Sequence, residues 1–205
     1  MKNEVLNIGE AHKSNIETAK QLVPSGPVWL NRFGALETSK LSLPKGLDMN
    51  YASELRLGND SEAGSLDAGD VTLGFGSIVE LDAFADQTID RLNAAKLVIE
   101  TKDWTNGPEY LQPIIRFTAH PAEGAATLPQ GRYLIGEIGE IEGDLSDIIL
   151  LGIDDMKKQL SYEGGRLYID LSAYEAGAKT WAGADGGLWD LGGSHAFTNA
   201  STLKE

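Results

Sequence analysis

From Val71 to Asp82 the chain alternates: Val71, Leu73, Phe75, Ser77, Val79 and Leu81 stand against Thr72, Gly74, Gly76, Ile78, Glu80 and Asp82. Successive side chains of a β-strand point to opposite faces, so this period of two predicts strand with one buried face. Gly74 and Gly76 predict a bulge or bend that splits the run. The pattern returns at Ile115, Phe117 and Ala119 against Arg116, Thr118 and His120. It returns again at Leu167, Ile169 and Leu171 against Arg166, Tyr168 and Asp170, as in a half-buried antiparallel strand.

Other segments carry β signals with less alternation. Residues 51–57 and 95–101 read as strands. Arg132 to Ile141 is apolar on both faces, with Gly136 and Gly139 inserted, and Ile148 to Ile153 predicts a strand buried on both sides. Apolar residues are densest from Tyr110 to Ile153, which predicts the centre of a sheet.

Helical signals are few and short. Ser14-Asn15-Ile16-Glu17 fits a capping box, and Pro24 stops the helix it would begin. Residues 82–95 place Phe84, Thr88 and Leu92 on one helical face behind a capping Asp82. Residues 154–160 allow at most two turns. Short strands separated by turn signals, with no regular alternation of strand and long helix, predict a mainly β protein. The architecture expected is an antiparallel β-sandwich of jelly-roll type, with no internal repeat. Residues 1–33 read as an N-terminal arm with a short helix. Residues 34–205 read as the sandwich domain, ending in an irregular tail rich in Gly and Trp.

Composition narrows the function. The 205 residues are 41% hydrophobic and 23% charged, enough for one sizeable core and unlike a disordered chain. The net charge of −14 repels phosphate, so neither nucleic acid nor an anionic membrane is an expected partner. The absence of cysteine removes disulfides, thiolate nucleophiles and Cys-based metal sites. The N-terminal residues lack the apolar core of a signal peptide, which predicts synthesis in the cytoplasm.

No motif dictates a reaction. The P-loop pattern, G-x-G-x-x-G, H-E-x-x-H and G-x-S-x-G are all missing, and no catalytic, cofactor-binding or metal-ligating set is expected. His12, His120 and His195 read as surface or loop residues. Glu137, Glu140 and Glu142 form a cluster that a glycoside-active enzyme would use only with one carboxyl desolvated and the other solvated. Asn59, Asp60, Glu62, Asp67 and Asp70 superficially resemble Ca²⁺ ligands. Their spacing is not that of an EF-hand, and the segment reads as a solvated acidic loop.

Two groups are candidates for contact. Trp29, Leu30 and Phe33 follow the Pro24-Ser25-Gly26-Pro27 segment and fit either the chain's own core or another subunit. Trp181, Asp185, Trp189 and Asp190, with His195 and Asn199 nearby, have the composition of a sugar site, because aromatic faces stack on sugars while carboxylates and amides bond hydroxyls. The plainer reading is that these tryptophans anchor the tail. The functional expectation is a non-catalytic structural or assembly protein that self-associates or joins another structural protein. By analogy of profile it would be a phage capsid, decoration or tail subunit within a virion. A carbohydrate-binding module is the alternative, and a glycoside-active enzyme a third reading.

Overall fold

The computed structural model describes residues 6–8, 13–15, 27–30, 35–50, 52–101, 112–174, 179–181 and 197–199. The protein is mainly β, with no α-helix among these residues. The chain divides into two units, Met1–Ala173 and Tyr174–Glu205.

The first unit is a parallel β-solenoid. Its strands divide between two sheets, alternating along the chain except where the consecutive strands Lys40–Leu43 and Leu47–Met49 join the same sheet. Sheet A takes β1 (Leu6–Ile8), β3 (Val28–Leu30), β5 (Lys40–Leu43), β6 (Leu47–Met49), β8 (Ser65–Leu73), β10 (Arg91–Ile99) and β12 (Gly131–Glu142). Sheet B takes β2 (Lys13–Asn15), β4 (Ala35–Thr38), β7 (Glu54–Leu57), β9 (Ile78–Phe84), β11 (Ile114–His120) and β13 (Ile149–Leu151). Interior strands pair in parallel with strands of the neighbouring coils, as β8 does with β6 and β10 and β9 does with β7 and β11.

The expected antiparallel jelly roll is therefore corrected. The alternation of side chains is as predicted, but consecutive strands cross between sheets and pair with the next coil. Among the described strands of this unit, antiparallel strand pairing lies at the C-terminal end, where β14 (Met156–Glu163) and β15 (Arg166–Ala173) form a hairpin on β12. There, Leu167, Ile169 and Leu171 are buried on one face of β15, as its alternation predicts.

Parallel register stacks like on like. Val28, Leu47, Val71, Leu97 and Ile141 lie one above another in sheet A, and Leu30, Met49, Leu73 and Ile99 form a second ladder. Leu36, Leu55, Val79 and Ile115 do the same in sheet B. Nearly all of these side chains are buried in one continuous core. Each contributes about 1.5–3 kcal/mol by leaving water. The outward positions carry charge in alternating sign: Glu37, Arg56, Glu80 and Arg116 follow one another across sheet B.

Three helical expectations are corrected. Lys13–Asn15, including the supposed cap Ser14, is strand β2, and residues 16–24 of the expected helix lie outside the described residues. Residues 82–95 form the end of β9, a tight turn and the start of β10. Gln87 takes a positive φ of 67°, Asp86 accepts from the Thr88 N–H, and Ala83 bridges Ile89. Residues 156–160 belong to β14, where pairing with β15 overrides the helix preference of Lys and Gln. The strand expected between Ile148 and Ile153 is present as β13, but it is an edge, with Ile149 and Leu151 exposed. The second unit contributes one described pairing, β16 (Lys179–Trp181) with β17 (Phe197–Asn199), antiparallel.

Candidate functional site

The densest cluster of chemistry-bearing side chains lies at the corner where sheet B ends. Strand β9 carries Asp82 on its outward side. The turn after it returns as Asp90, whose backbone N–H donates to the Asp82 carbonyl at 3.0 Å. The Asp90 carboxylate then accepts from the Asp82 N–H at 2.8 Å and from the Gly64 N–H at 2.5 Å. Both aspartates are fully buried. Gly58 makes room for this knot. It has a φ of +74°, and a Cβ there would stand 2.5 Å from an Asp90 carboxylate oxygen.

Asp82 faces outward into a charged group. Its Oδ1 lies 2.7 Å from His120 Nε2 on β11. The His120 ring stacks on Phe84 at 4.8 Å between centroids, which fixes its orientation. Arg56 Nη2 on β7 donates to Asp60 at 2.7 Å and stands 3.8 Å from Asp82 Oδ2, beyond hydrogen-bond reach. Asp82 Oδ2 and Arg56 Nε are thus buried without a hydrogen-bond partner.

The electrostatics follow from this crowding. Burial works to lower the Arg56 pKa, but the charges of Asp82 and Glu80 and the hydrogen bond to Asp60 outweigh it and raise it. Burial pushes the Asp90 carboxyl up to about 7, against its two N–H donors and with help from the neighbouring Asp82 charge.

A second feature is a shallow groove of about 510 Å³ on the outer face of sheet A, lined by Ser42, Pro44, Asp67, Asn93 and Glu137. It meets an adjoining hollow of about 410 Å³ that reaches Arg166. Asn93 donates to Asp67 at 2.8 Å and accepts from the Glu137 N–H at 2.9 Å, so the groove wall is a hydrogen-bonded ladder across coils.

The residues singled out from sequence are dispersed. Leu30 is buried in the chain's own core, Trp29 is 44% exposed beside it, and Phe33 lies outside the described residues. Trp181 is in β16 and Asn199 in β17, while Asp185, Trp189, Asp190 and His195 lie outside the described residues. The carboxylates of the 137–142 cluster are engaged: Lys96 pairs with Glu140 at 3.4 Å and Glu142 at 2.5 Å, and Arg166 with Glu137 at 3.7 Å. The acidic segment is no single loop. Asn59 accepts from the Ser61 and Glu62 N–H groups, while Asp67 and Asp70 lie in β8.

Sequence reasoning missed the corner. Asp82 reads as a helix cap, Asp60 as part of an acidic loop and His120 as a surface residue, because the three come from successive coils and only the parallel register unites them. Comparison with protein-family models, curated proteins and solved structures finds no match for this chain.

Proposed function

We propose that the chain is a non-catalytic structural protein, a stacked-coil spacer that self-associates, of the kind a capsid, decoration or tail assembly uses. The observation that carries this reading is the stacking itself. Inward ladders form a core along the coil axis, and outward charges pair across coils, as Arg116 does with Glu80 one coil away at 3.7 Å and with Glu54 two coils away at 3.4 Å. Stability in such an array is a sum of coil and nearest-neighbour terms, suited to bearing load and to presenting a repeating surface. Ion pairing of Glu137, Glu140 and Glu142 favours this reading over glycoside chemistry, since none has the desolvated partner an acid/base pair needs.

Self-association is assigned to Trp29, an outward ring between the buried Val28 and Leu30. Light scattering on a sizing column is expected to give a defined oligomer for the full chain. Trp29→Ser, which leaves both core neighbours in place, is expected to give the folded monomer. A full chain that stays monomeric at every concentration removes self-assembly in solution. An oligomer indifferent to Trp29→Ser moves the contact elsewhere.

The carbohydrate reading keeps one observation in its favour, the amide and carboxylate wall of the sheet A groove. On that reading a glycan-array signal from the full chain falls on Asp67→Ala. A signal unchanged by that substitution clears the groove.

A further inference from the structure

The corner cluster has the donor set of a metal site. Asp60, Asp82 and His120 each offer one ligand atom, and these atoms lie within 4.8 Å of one another. Donors around one zinc-sized ion stand roughly 3–4 Å apart, given metal–ligand bonds near 2 Å, so a small contraction closes the set. A second observation points to a cationic ligand. The fully buried Asp82 keeps Oδ2 without a hydrogen-bond partner, although a buried carboxylate oxygen is costly to leave unmet.

Among the described residues, Arg56 is the guanidinium paired with Asp82, and it is overcommitted. It stands 2.7 Å from Asp60, 3.8 Å from Asp82 and 3.9 Å from Glu37, and it also feels the charge of Glu80. Even with Arg116 pairing with Glu80, Arg56 shared among Asp60, Asp82 and Glu37 leaves negative charge in excess, and it gives Asp82 Oδ2 no hydrogen bond.

We propose that Asp60, Asp82 and His120 bind a divalent first-row transition metal of the Zn²⁺ type. Two carboxylates and one imidazole suit such an ion better than Ca²⁺, which takes six to eight oxygen ligands. The remaining coordination position is open to water. The ion sits where His120 now meets Asp82 and takes over the neutralisation of Asp82, while Arg56 keeps its pairing with Glu37. Its ligands come from the corner after β7, from β9 and from β11, so it clasps three successive coils at one edge. In a solenoid, whose stability is a sum of neighbour terms, such a clasp adds to the apolar ladders and ion pairs that already join the coils of sheet B.

The test is calorimetric titration of the chelator-treated full chain with ZnCl₂, with CaCl₂ as the contrast, and thermal unfolding with and without Zn²⁺. A single saturable Zn²⁺ site and a raised Tm are expected. His120→Ala is expected to weaken binding by at least ~10-fold and to abolish the Tm rise. Asp60→Asn, at a side chain 78% exposed and therefore harmless to folding, is expected to weaken binding as well. His12→Ala/His195→Ala is expected to bind as the parent does. Absence of saturable Zn²⁺ binding overturns the proposal. So does binding that survives His120→Ala, or that disappears in the His12/His195 variant, because the ion then sits elsewhere.

Discussion

Gly136→Val is expected to unfold the C-terminal coil and the hairpin that covers it. Gly136 lies in β12 at the register shift between Leu134 and Gly136 in its pairing with β15, two residues before Ile138 opens the pairing with β10. A Cβ at this position would collide with the Leu92 carbonyl, and one at Gly139 would stand 2.5 Å from the Ala95 carbonyl. Both obstacles are backbone of β10, the strand that holds Leu92, Leu97 and Ile99 in the core, and neither is a flexible side chain that moves aside. Overpacking a close-packed site costs about 1–3 kcal/mol when neighbours adjust, and more when backbone must shift. Gly136→Ala is therefore expected to cost about 3 kcal/mol, and the valine to remove the β10–β12 register altogether. Denaturant midpoints and limited proteolysis of the 131–173 region check this. Glu137→Ala, one residue on and outward-facing, is the control and should change the midpoint by less than about 1 kcal/mol. A Gly136→Val protein as resistant as that control would mean that the close approach of β12 to β10 is wrong.

Local alternation was legible in the sequence, but the partner of each strand was not. Ile115 and Phe117 are buried and Arg116 and Thr118 face outward, as their spacing predicts. The long run from Ser65 to Phe84 breaks between Leu73 and Ile78, around Gly74 and Gly76. A period of two says which face is buried and nothing about direction, so the same pattern served a jelly roll or a solenoid equally well. A repeat would have decided it, but the coils are unequal. Val28 pairs with Leu47, Leu47 with Val71, and Val71 with Leu97, and the next step carries Leu97 to Ile141 past the long insertion before β11. Insertions at corners leave the ladders intact while erasing the spacing that marks a repeat.

The helical misreadings share a cause. Phe84, Thr88 and Leu92 have helical spacing, yet Asp86 and Gln87 close a turn between two strands whose ladders were already fixed by neighbouring coils. Residues 156–160 are good helix formers, but β15 offers a full antiparallel partner, and tertiary pairing outweighs a propensity of a few tenths of a kcal/mol per residue. The corner cluster was illegible for the same reason as the topology. Asp60, Asp82 and His120 stand far apart in sequence and become neighbours only when β7, β9 and β11 stack in parallel.

Asp90→Ala is the second substitution expected to be severe, because Asp90 ties one coil's corner to the next strand. Its two carboxylate oxygens accept from the Gly64 and Asp82 N–H groups. Removing the side chain leaves both donors unmet at a corner where Asp82 itself is fully buried. Each unsatisfied buried donor costs about 1–3 kcal/mol, so a total loss of about 2–6 kcal/mol is expected at pH 5. The pH dependence distinguishes this from a simple cavity. The folded-state pKa of Asp90 is raised from 3.8 to about 7, chiefly by burial. The folded protein therefore holds this proton more tightly than the unfolded chain does, and the stability the group contributes falls as pH rises from about 4 to about 7. This is the reverse of the usual aspartate. The alanine variant lacks that slope, so its deficit relative to the parent should shrink between pH 5 and pH 8. Urea unfolding of both proteins across that range, with chelator present throughout, measures it. A deficit that is constant with pH would mean Asp90 titrates as an ordinary carboxylate. No deficit at any pH would mean the hydrogen bonds to Gly64 and Asp82 do not hold the corner.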